Sequence, residues 1–202
     1  MNMNANDIRI CFIGDSYVQG TGDPECLGWV GRLCASARHA GHNITAYNLG
    51  VRRETSRDIA HRWLSECERR LPATTDNYVV FSFGANDVTI EDGAPRVAEH
   101  ETLASLRAIL ETAKAHYRAL LVGPPATSET PHNARLGRLS GHMKDAAEQM
   151  GVPYLDLFSL LVNDVQWMEE VRSNDGAHPK APGYEHIANI VAASGVWWFG
   201  KQ

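Results

Sequence analysis

Positive charge, long apolar runs, paired cysteines and phosphate-binding glycine loops are all in short supply in this 202-residue chain. Nineteen Lys and Arg stand against twenty-four Asp and Glu, a formal charge of -5, and a field of that sign repels phosphate backbones rather than recruiting them. Nucleic acid is therefore not an expected partner. The most apolar stretch, residues 187–199, contains Asn189 and falls short of the roughly 20 residues a bilayer span needs, so no membrane span is expected. No basic start, apolar run and small-residue cleavage site open the sequence, and the expected location is cytoplasmic. Cys11, Cys26, Cys34 and Cys67 form no C-x-x-C pair; a zinc knuckle and a thioredoxin-like couple are excluded, and the four read as small buried hydrophobes. Residues 14–22 hold neither a Gly-x-x-x-x-Gly-Lys nor a Gly-x-Gly-x-x-Gly pattern, and Asp15 and Asp23 would repel phosphate. No long linker or internal repeat divides the chain, so residues 7–202 read as one domain behind a polar, frayed stretch at 1–6.

What is present is an alternation of buried strands and amphipathic helices. With 44% hydrophobic residues the chain can bury a core without staples. Residues 8–13 form a nearly continuous apolar run that stops at Gly14-Asp15-Ser16, the pattern of a strand covered on both faces. Runs at 44–48, 78–83, 119–122 and 153–157 have strand length and composition. Between them lie helical stripes. One carries Ile59, Trp63, Cys67 and Leu71, opened by Thr55-x-x-Asp58 as a capping box and followed by Pro72. Another starts at Pro95 as a first-turn proline and carries Leu103, Leu106, Leu110, Ala113 and Tyr117. A long loop follows at 123–131. Strand and helix alternating about five times predict an α/β fold: three α/β/α layers around a doubly wound sheet of about five parallel strands. If its order is the flavodoxin-like 2-1-3-4-5, the first strand lies between the second and the third.

In such a sheet ligands bind outside the carboxyl ends of the strands, where strand order reverses. Gly14-Asp15-Ser16 follows the first strand, Asn48-Leu49-Gly50 the second and Gly84-Ala85-Asn86-Asp87 the third. With the first strand between the other two, Gly50 falls on one side of Ser16 and Asn86 on the other. Acyl transfer suits that convergence. A serine attacking a carbonyl generates an oxyanion that needs donors fixed in advance, and the backbone NH groups of Ser16 and Gly50 with the Asn86 amide can supply them. The base is read from Asp175-Gly176-Ala177-His178-Pro179. Three residues apart in a turn, Asp175 can reach Nδ1 of His178 and leave Nε2 facing outward, the arrangement a serine nucleophile requires.

These four blocks, in this order, resemble those of the SGNH hydrolases, also called the GDSL lipase/esterase family. The resemblance implies a flavodoxin-like α/β/α fold and ester hydrolysis without a metal or other cofactor. It implies Ser16 as nucleophile, Asp175 and His178 as its triad partners, and an oxyanion hole from Ser16, Gly50 and Asn86. One departure is Ala85, where many members have a second glycine in the third block. The implied partner is a small-molecule ester substrate.

Among the nine histidines, His39, His42, His61, His100 and His116 read as surface or satisfied residues, while His132 and His142 lie around the long loop and its following helix, near the expected cleft. Arg52-Arg53 reads as a solvated basic turn more readily than as an anion site. Trp29 reads as helix packing. Trp197, Trp198 and Phe199 form an apolar cluster that can pack on the core or join two copies of the chain as a homo-oligomer. An acyltransferase or thioesterase would keep the same nucleophile and hole. A non-catalytic flavodoxin-like binding module is the alternative from a different class.

Overall fold

The computed structural model describes residues 7–200; the expectation of fraying at 1–6 lies outside the described residues. The chain runs β1 (Ile8–Gly14), α1 (Ser16–Gln19), α2 (Gly28–His39), β2 (Ile44–Gly50), α3 (Ser56–Glu68), β3 (Asp76–Ser82), β4 (Ile90–Glu91), β5 (Ala94–Pro95), α4 (Glu99–His116), β6 (Arg118–Val122), α5 (Thr130–Gln149), β7 (Tyr154–Leu155), α6 (Leu157–Leu161), α7 (Val165–Arg172) and α8 (Ala181–Ala193). Five strands make one parallel sheet in the order β2-β1-β3-β6-β7. Counting only its own strands, that is the expected 2-1-3-4-5.

The apolar run of β1 is continuous because both of its faces are covered: Ile10, Cys11, Phe12 and Ile13 have no exposed surface. Side chains alternate across a strand, so Phe12 and Ile13 face opposite layers. On the Phe12 face lie Trp29 of α2, edge-on with ring centroids 5.6 Å apart, and Trp197. On the other face Trp63 of α3 meets Phe81 of β3 at 5.2 Å. The register places Gly14 opposite Gly50 on one side and Ser82 on the other. The ends of β2, β1 and β3 are thereby level, and the turns that follow them emerge at one edge of the sheet.

The capping box of α3 is present: Asp58 Oδ2 accepts from the Thr55 NH at 2.9 Å and from its hydroxyl at 2.7 Å. Other elements differ from expectation. Pro95 does not open α4 but pairs with Ile90 in a small antiparallel hairpin. Its tip, Asp92-Gly93, has positive φ at both residues (51° and 81°), the turn that best matches the twist of two strands. The helix starts at Glu99, where Glu101 Oε2 accepts from the Ala98 NH. The long loop is shorter than expected, since Thr130 and Pro131 already belong to α5. Cys11, Cys34 and Cys67 are buried, but Cys26 is exposed, held at φ 56° in the turn that leads into α2. Trp197 and Phe199 are buried in the core of their own chain, and Trp198 packs on Tyr78 at 4.8 Å. Among the described residues, no helix is long and apolar enough to cross a membrane.

Candidate active site

Ser16 stands at the exit of β1, an inner strand between β2 and β3. Asp15 caps α1, its Oδ1 accepting from the Tyr17 NH at 3.0 Å, and Gly20 in the left-handed region ends the helix after one turn. Because Ser16 is the first helical residue, its own NH has no acceptor within the helix. Its side chain is turned toward the C-terminal part of the chain, where Asp175 and His178 follow α7. Asp175 Oδ1 accepts from the backbone NH groups of Ala177 (3.0 Å) and His178 (2.7 Å), which folds the segment back on itself. Asp175 Oδ2 meets Nδ1 of His178 at 2.7 Å, and Nε2 of His178 meets Ser16 Oγ at 2.7 Å.

The protons in this chain of contacts follow from the partners. An ionised carboxylate only accepts, so Nδ1 carries the hydrogen and the Nε2 lone pair is left for the serine hydroxyl. Burial works to raise the Asp175 carboxyl, but the His178 NH, the His178 ring and the Ala177 NH outweigh it and hold the carboxyl below the ordinary value of 3.8. Ser16 and His178 are both buried, whereas 43% of the Asp175 side chain is exposed. An arrangement of this kind can take a proton from a serine hydroxyl as its oxygen attacks a carbonyl.

Several residues that sequence reasoning did not single out hold the two ends of the chain together. The Tyr17 hydroxyl donates to the Ala177 carbonyl at 2.9 Å, and its ring lies 5.0 Å from that of His178. Asn174 Nδ2 donates to the His178 carbonyl at 3.0 Å, and the Tyr184 hydroxyl to the Thr21 carbonyl at 2.7 Å. The nearest sequence signal was the position of Tyr17 beside Ser16; for Asn174 and Tyr184 there was none.

Gly50 and Asn86 flank Ser16 as expected. A Cβ on Gly50 would sit 2.2 Å from the Gln19 nitrogen and 2.8 Å from the Asp15 carbonyl oxygen, so only glycine lets the end of β2 touch the turn bearing the serine. The Gly50 NH donates to Asn48 Oδ1 at 3.0 Å, while Asn48 Nδ2 is fixed on the Val18 carbonyl at 2.8 Å. Asn86 Nδ2 donates to the Glu54 carbonyl at 2.9 Å and to Asp15 Oδ2 at 3.3 Å. Beside it, the buried Asp87 accepts from the NH and hydroxyl of Ser56 and from the Thr102 hydroxyl, tying the Asn86 turn to α3 and α4. Burial raises both acids. Asp87 stays above its ordinary value despite these donors, and Asp15 is pushed up to about 7, with the Tyr17 NH opposing and the Asp87 and Glu54 charges adding.

The remaining candidates lie apart from this chemistry. Arg53 pairs with Glu91 at the surface (2.7 Å). His142 pairs with Glu99 (2.7 Å) and is half exposed. His132 is buried, with Nε2 on the Ala85 carbonyl. A recess of about 330 Å³ between α2 and α8, bordered by Trp197 and Phe199, is lined by none of the residues around Ser16. Among the described residues, no group of three His, Cys, Asp or Glu could hold a metal ion.

A parallel sheet of this order, with a serine at the end of its inner strand β1 hydrogen-bonded to a histidine near the C-terminus, has the three-layer architecture of the SGNH esterases. Residues 12–186 match the GDSL-like lipase/acylhydrolase family, and the chain belongs to that family of carboxylic ester hydrolases. Among solved structures it is similar to a catalytic mutant of Axe2, an acetylxylan esterase from Geobacillus stearothermophilus, at 19% identity with 96% of each chain covered and a TM-score of 0.73. It is also similar to LAE5, an alpha/beta hydrolase enzyme from the metagenome of Lake Arreo, Spain (23% identity, 94% of this chain and 95% of that one, TM-score 0.72). TesA gives 22% identity, 91% and 95% coverage and a TM-score of 0.71. Among curated proteins it matches the uncharacterized protein YpmR of Bacillus subtilis (strain 168), 20% identical over 166 residues; these make up 81% of this chain and 56% of that protein.

Proposed function

We propose that the protein hydrolyses small carboxylic esters through an acyl-enzyme on Ser16. The observation that carries this reading is the unbroken line of hydrogen bonds from Asp175 through His178 to Ser16, each 2.7 Å long. In the first half-reaction Ser16 Oγ bonds to the carbonyl carbon as its proton passes to His178 Nε2. Asp175 holds the Nδ1 hydrogen and balances the imidazolium charge. The tetrahedral intermediate collapses, the bond to the alcohol oxygen breaks, and the leaving alcohol takes the proton from Nε2. In the second half water attacks the acyl carbon and gives its proton to His178 Nε2; the bond from the acyl carbon to Ser16 Oγ then breaks, Oγ takes that proton from Nε2, and the acid leaves.

The Ser16 NH, the Gly50 NH and the Asn86 amide are the donors for the developing oxyanion. Two of them hold internal acceptors beforehand. The oxyanion draws Asn86 Nδ2 from Asp15, the longer of its two bonds, and shares the Gly50 NH with Asn48. A full negative charge is a stronger acceptor than the Asn48 amide oxygen or the protonated Asp15 carboxyl, so with Asp15 protonated the exchange favours the transition state over the free enzyme.

An acyltransferase or thioesterase would use the same residues with another acceptor or leaving group. Turnover of a short p-nitrophenyl ester, with the acid product measured against transfer to added alcohols, separates hydrolysis from transfer. Release of free acid at the same rate with and without the alcohols is the expected result; a transferred ester as the main product would move the protein to the acyltransferases.

A further inference from the structure

We propose that His132 is a positioning residue for Asn86: its Nε2–H holds the Ala85 carbonyl, and through Thr127 and Ser128 its loop joins the turn carrying the oxyanion donor to the turn carrying Asp175. The inference rests on the esterase reading above and adds to it a residue that touches none of the reacting atoms.

His132 lies in the first turn of α5 and is buried. Nε2 is 3.0 Å from the Ala85 carbonyl oxygen. That oxygen only accepts, so Nε2 carries the hydrogen. Nδ1 faces the Thr127 hydroxyl at 3.3 Å, whose hydrogen is shared with Asn133 Oδ1 at 3.2 Å. Burial, with the nearby Arg135 charge, pushes the ring below the ordinary imidazole value of 6.5 against the pull of the Ala85 carbonyl and Glu129. The ring is thus a neutral donor, fixed in one tautomer.

The Ala85 carbonyl and the Asn86 nitrogen share one peptide plane. Holding the oxygen therefore fixes the direction in which the Asn86 backbone starts. The preceding Gly84 has φ +118°, a conformation that gives the segment little resistance of its own to turning. A second hold comes from the Thr89 hydroxyl on the same carbonyl at 3.2 Å. The loop on the other side of His132 is equally tied. The Thr127 NH donates to Asn133 Oδ1 at 2.9 Å, the Ser128 NH to the Gly176 carbonyl at 2.8 Å, and Trp167 Nε1 to the Ala126 carbonyl at 2.8 Å. Gly176 adjoins Asp175. Through that one short segment, the oxyanion side and the acid side of the site keep their spacing.

Two substitutions separate this role from mere filling of space. In His132→Gln the side-chain amide reaches Ala85, whereas in His132→Asn it is too short for Ala85 and keeps only the Thr127 side. With a p-nitrophenyl ester, His132→Asn is expected to lower kcat about 10- to 100-fold with KM within about 2-fold, the scale of a displaced catalytic group. His132→Gln is expected to recover kcat to within about 3-fold of the wild type. A residue acting through Asn86 has little left to do once Asn86 is gone, so His132→Asn in an Asn86→Ala background should cost no more than about a further 2-fold.

A full multiplicative loss in that background, or a His132→Asn enzyme with wild-type kcat, overturns the inference. If His132→Asn does not fold, a folded His132→Gln that loses about 10-fold or more in kcat overturns it as well. Failure of the wild type itself to turn over the ester sinks the esterase reading, and the inference with it; an overturning result confined to the His132 variants sinks the inference alone.

Discussion

Asp15 and Asn86, 71 positions apart, meet at 3.3 Å between Oδ2 and Nδ2, so the acid next to the serine holds the amide proposed as an oxyanion donor. The carboxyl is buried and pushed up to about 7, and this has a consequence for stability. A carboxyl raised above its ordinary 3.8 stabilises the fold in its protonated form. Its contribution is full below the unfolded value and is lost as pH rises through about 7. Asp15→Asn keeps an acceptor for the Tyr17 NH and removes the charge. The wild type should lose more melting temperature than this variant on going from about pH 5 to about pH 8. The raised Asp87 remains in both proteins, so the comparison isolates Asp15. Equal losses by thermal denaturation would contradict the burial argument.

In the proposed reading, Asn86→Ala removes a donor whose bond strengthens as charge develops on the oxyanion. Turnover should fall on the order of 10²- to 10³-fold, with KM little changed and the fold intact by circular dichroism. A near-silent change would take Asn86 out of the oxyanion hole.

Asp175→Asn leaves the turn a side chain of the same shape but one that no longer demands a hydrogen on Nδ1. The imidazole can then present the wrong tautomer to Ser16, and kcat should drop by about 10³- to 10⁴-fold. Steady-state kinetics with the Asn variant decide it. Retention of a tenth or more of the activity would mean that the half-exposed Asp175 is not the orienting acid.

Gly50→Ala would place a Cβ 2.2 Å from the Gln19 nitrogen, against backbone that cannot swing aside. Overpacking of this kind costs about 1–3 kcal/mol. It also pushes on the turn that sets Ser16, so urea denaturation and ester turnover should fall together. An alanine variant with native stability and activity would show that α1 is free to shift.

How much of this was legible in the sequence differs by element. Strand β1 was readable because complete burial leaves an unbroken apolar run, and its end was marked by three small or polar residues. The capping box at Thr55 was readable because its chemistry is local. The site came from four blocks, three at strand ends and the fourth supplying a base with its orienting acid, each weak alone. What escaped notice depended on tertiary contacts or on very short elements. Helix α1 has only four residues, too few to show a period. Pro95 fits a helix start and a sheet edge equally well, and the Asp92-Gly93 turn beside it is the signal that would have decided for the hairpin. Cys26 is exposed because its turn, not its composition, sets its surroundings. His132 could not be assigned because its partner Ala85 is 47 positions away. The internal acceptors of Gly50 and Asn86 were likewise invisible, since Asn48, Glu54 and Asp15 had no pattern linking them to those donors.

The most direct measurement is labelling with a fluorophosphonate followed by peptide mapping, which asks for an activated serine without needing the natural ester. Adduct on Ser16, formed rapidly in the wild type and slowed in His178→Ala and Asp175→Asn, is the predicted result. A protein that stays unlabelled, or carries the adduct on a serine other than Ser16, would contradict the acyl-enzyme on which the proposed function stands.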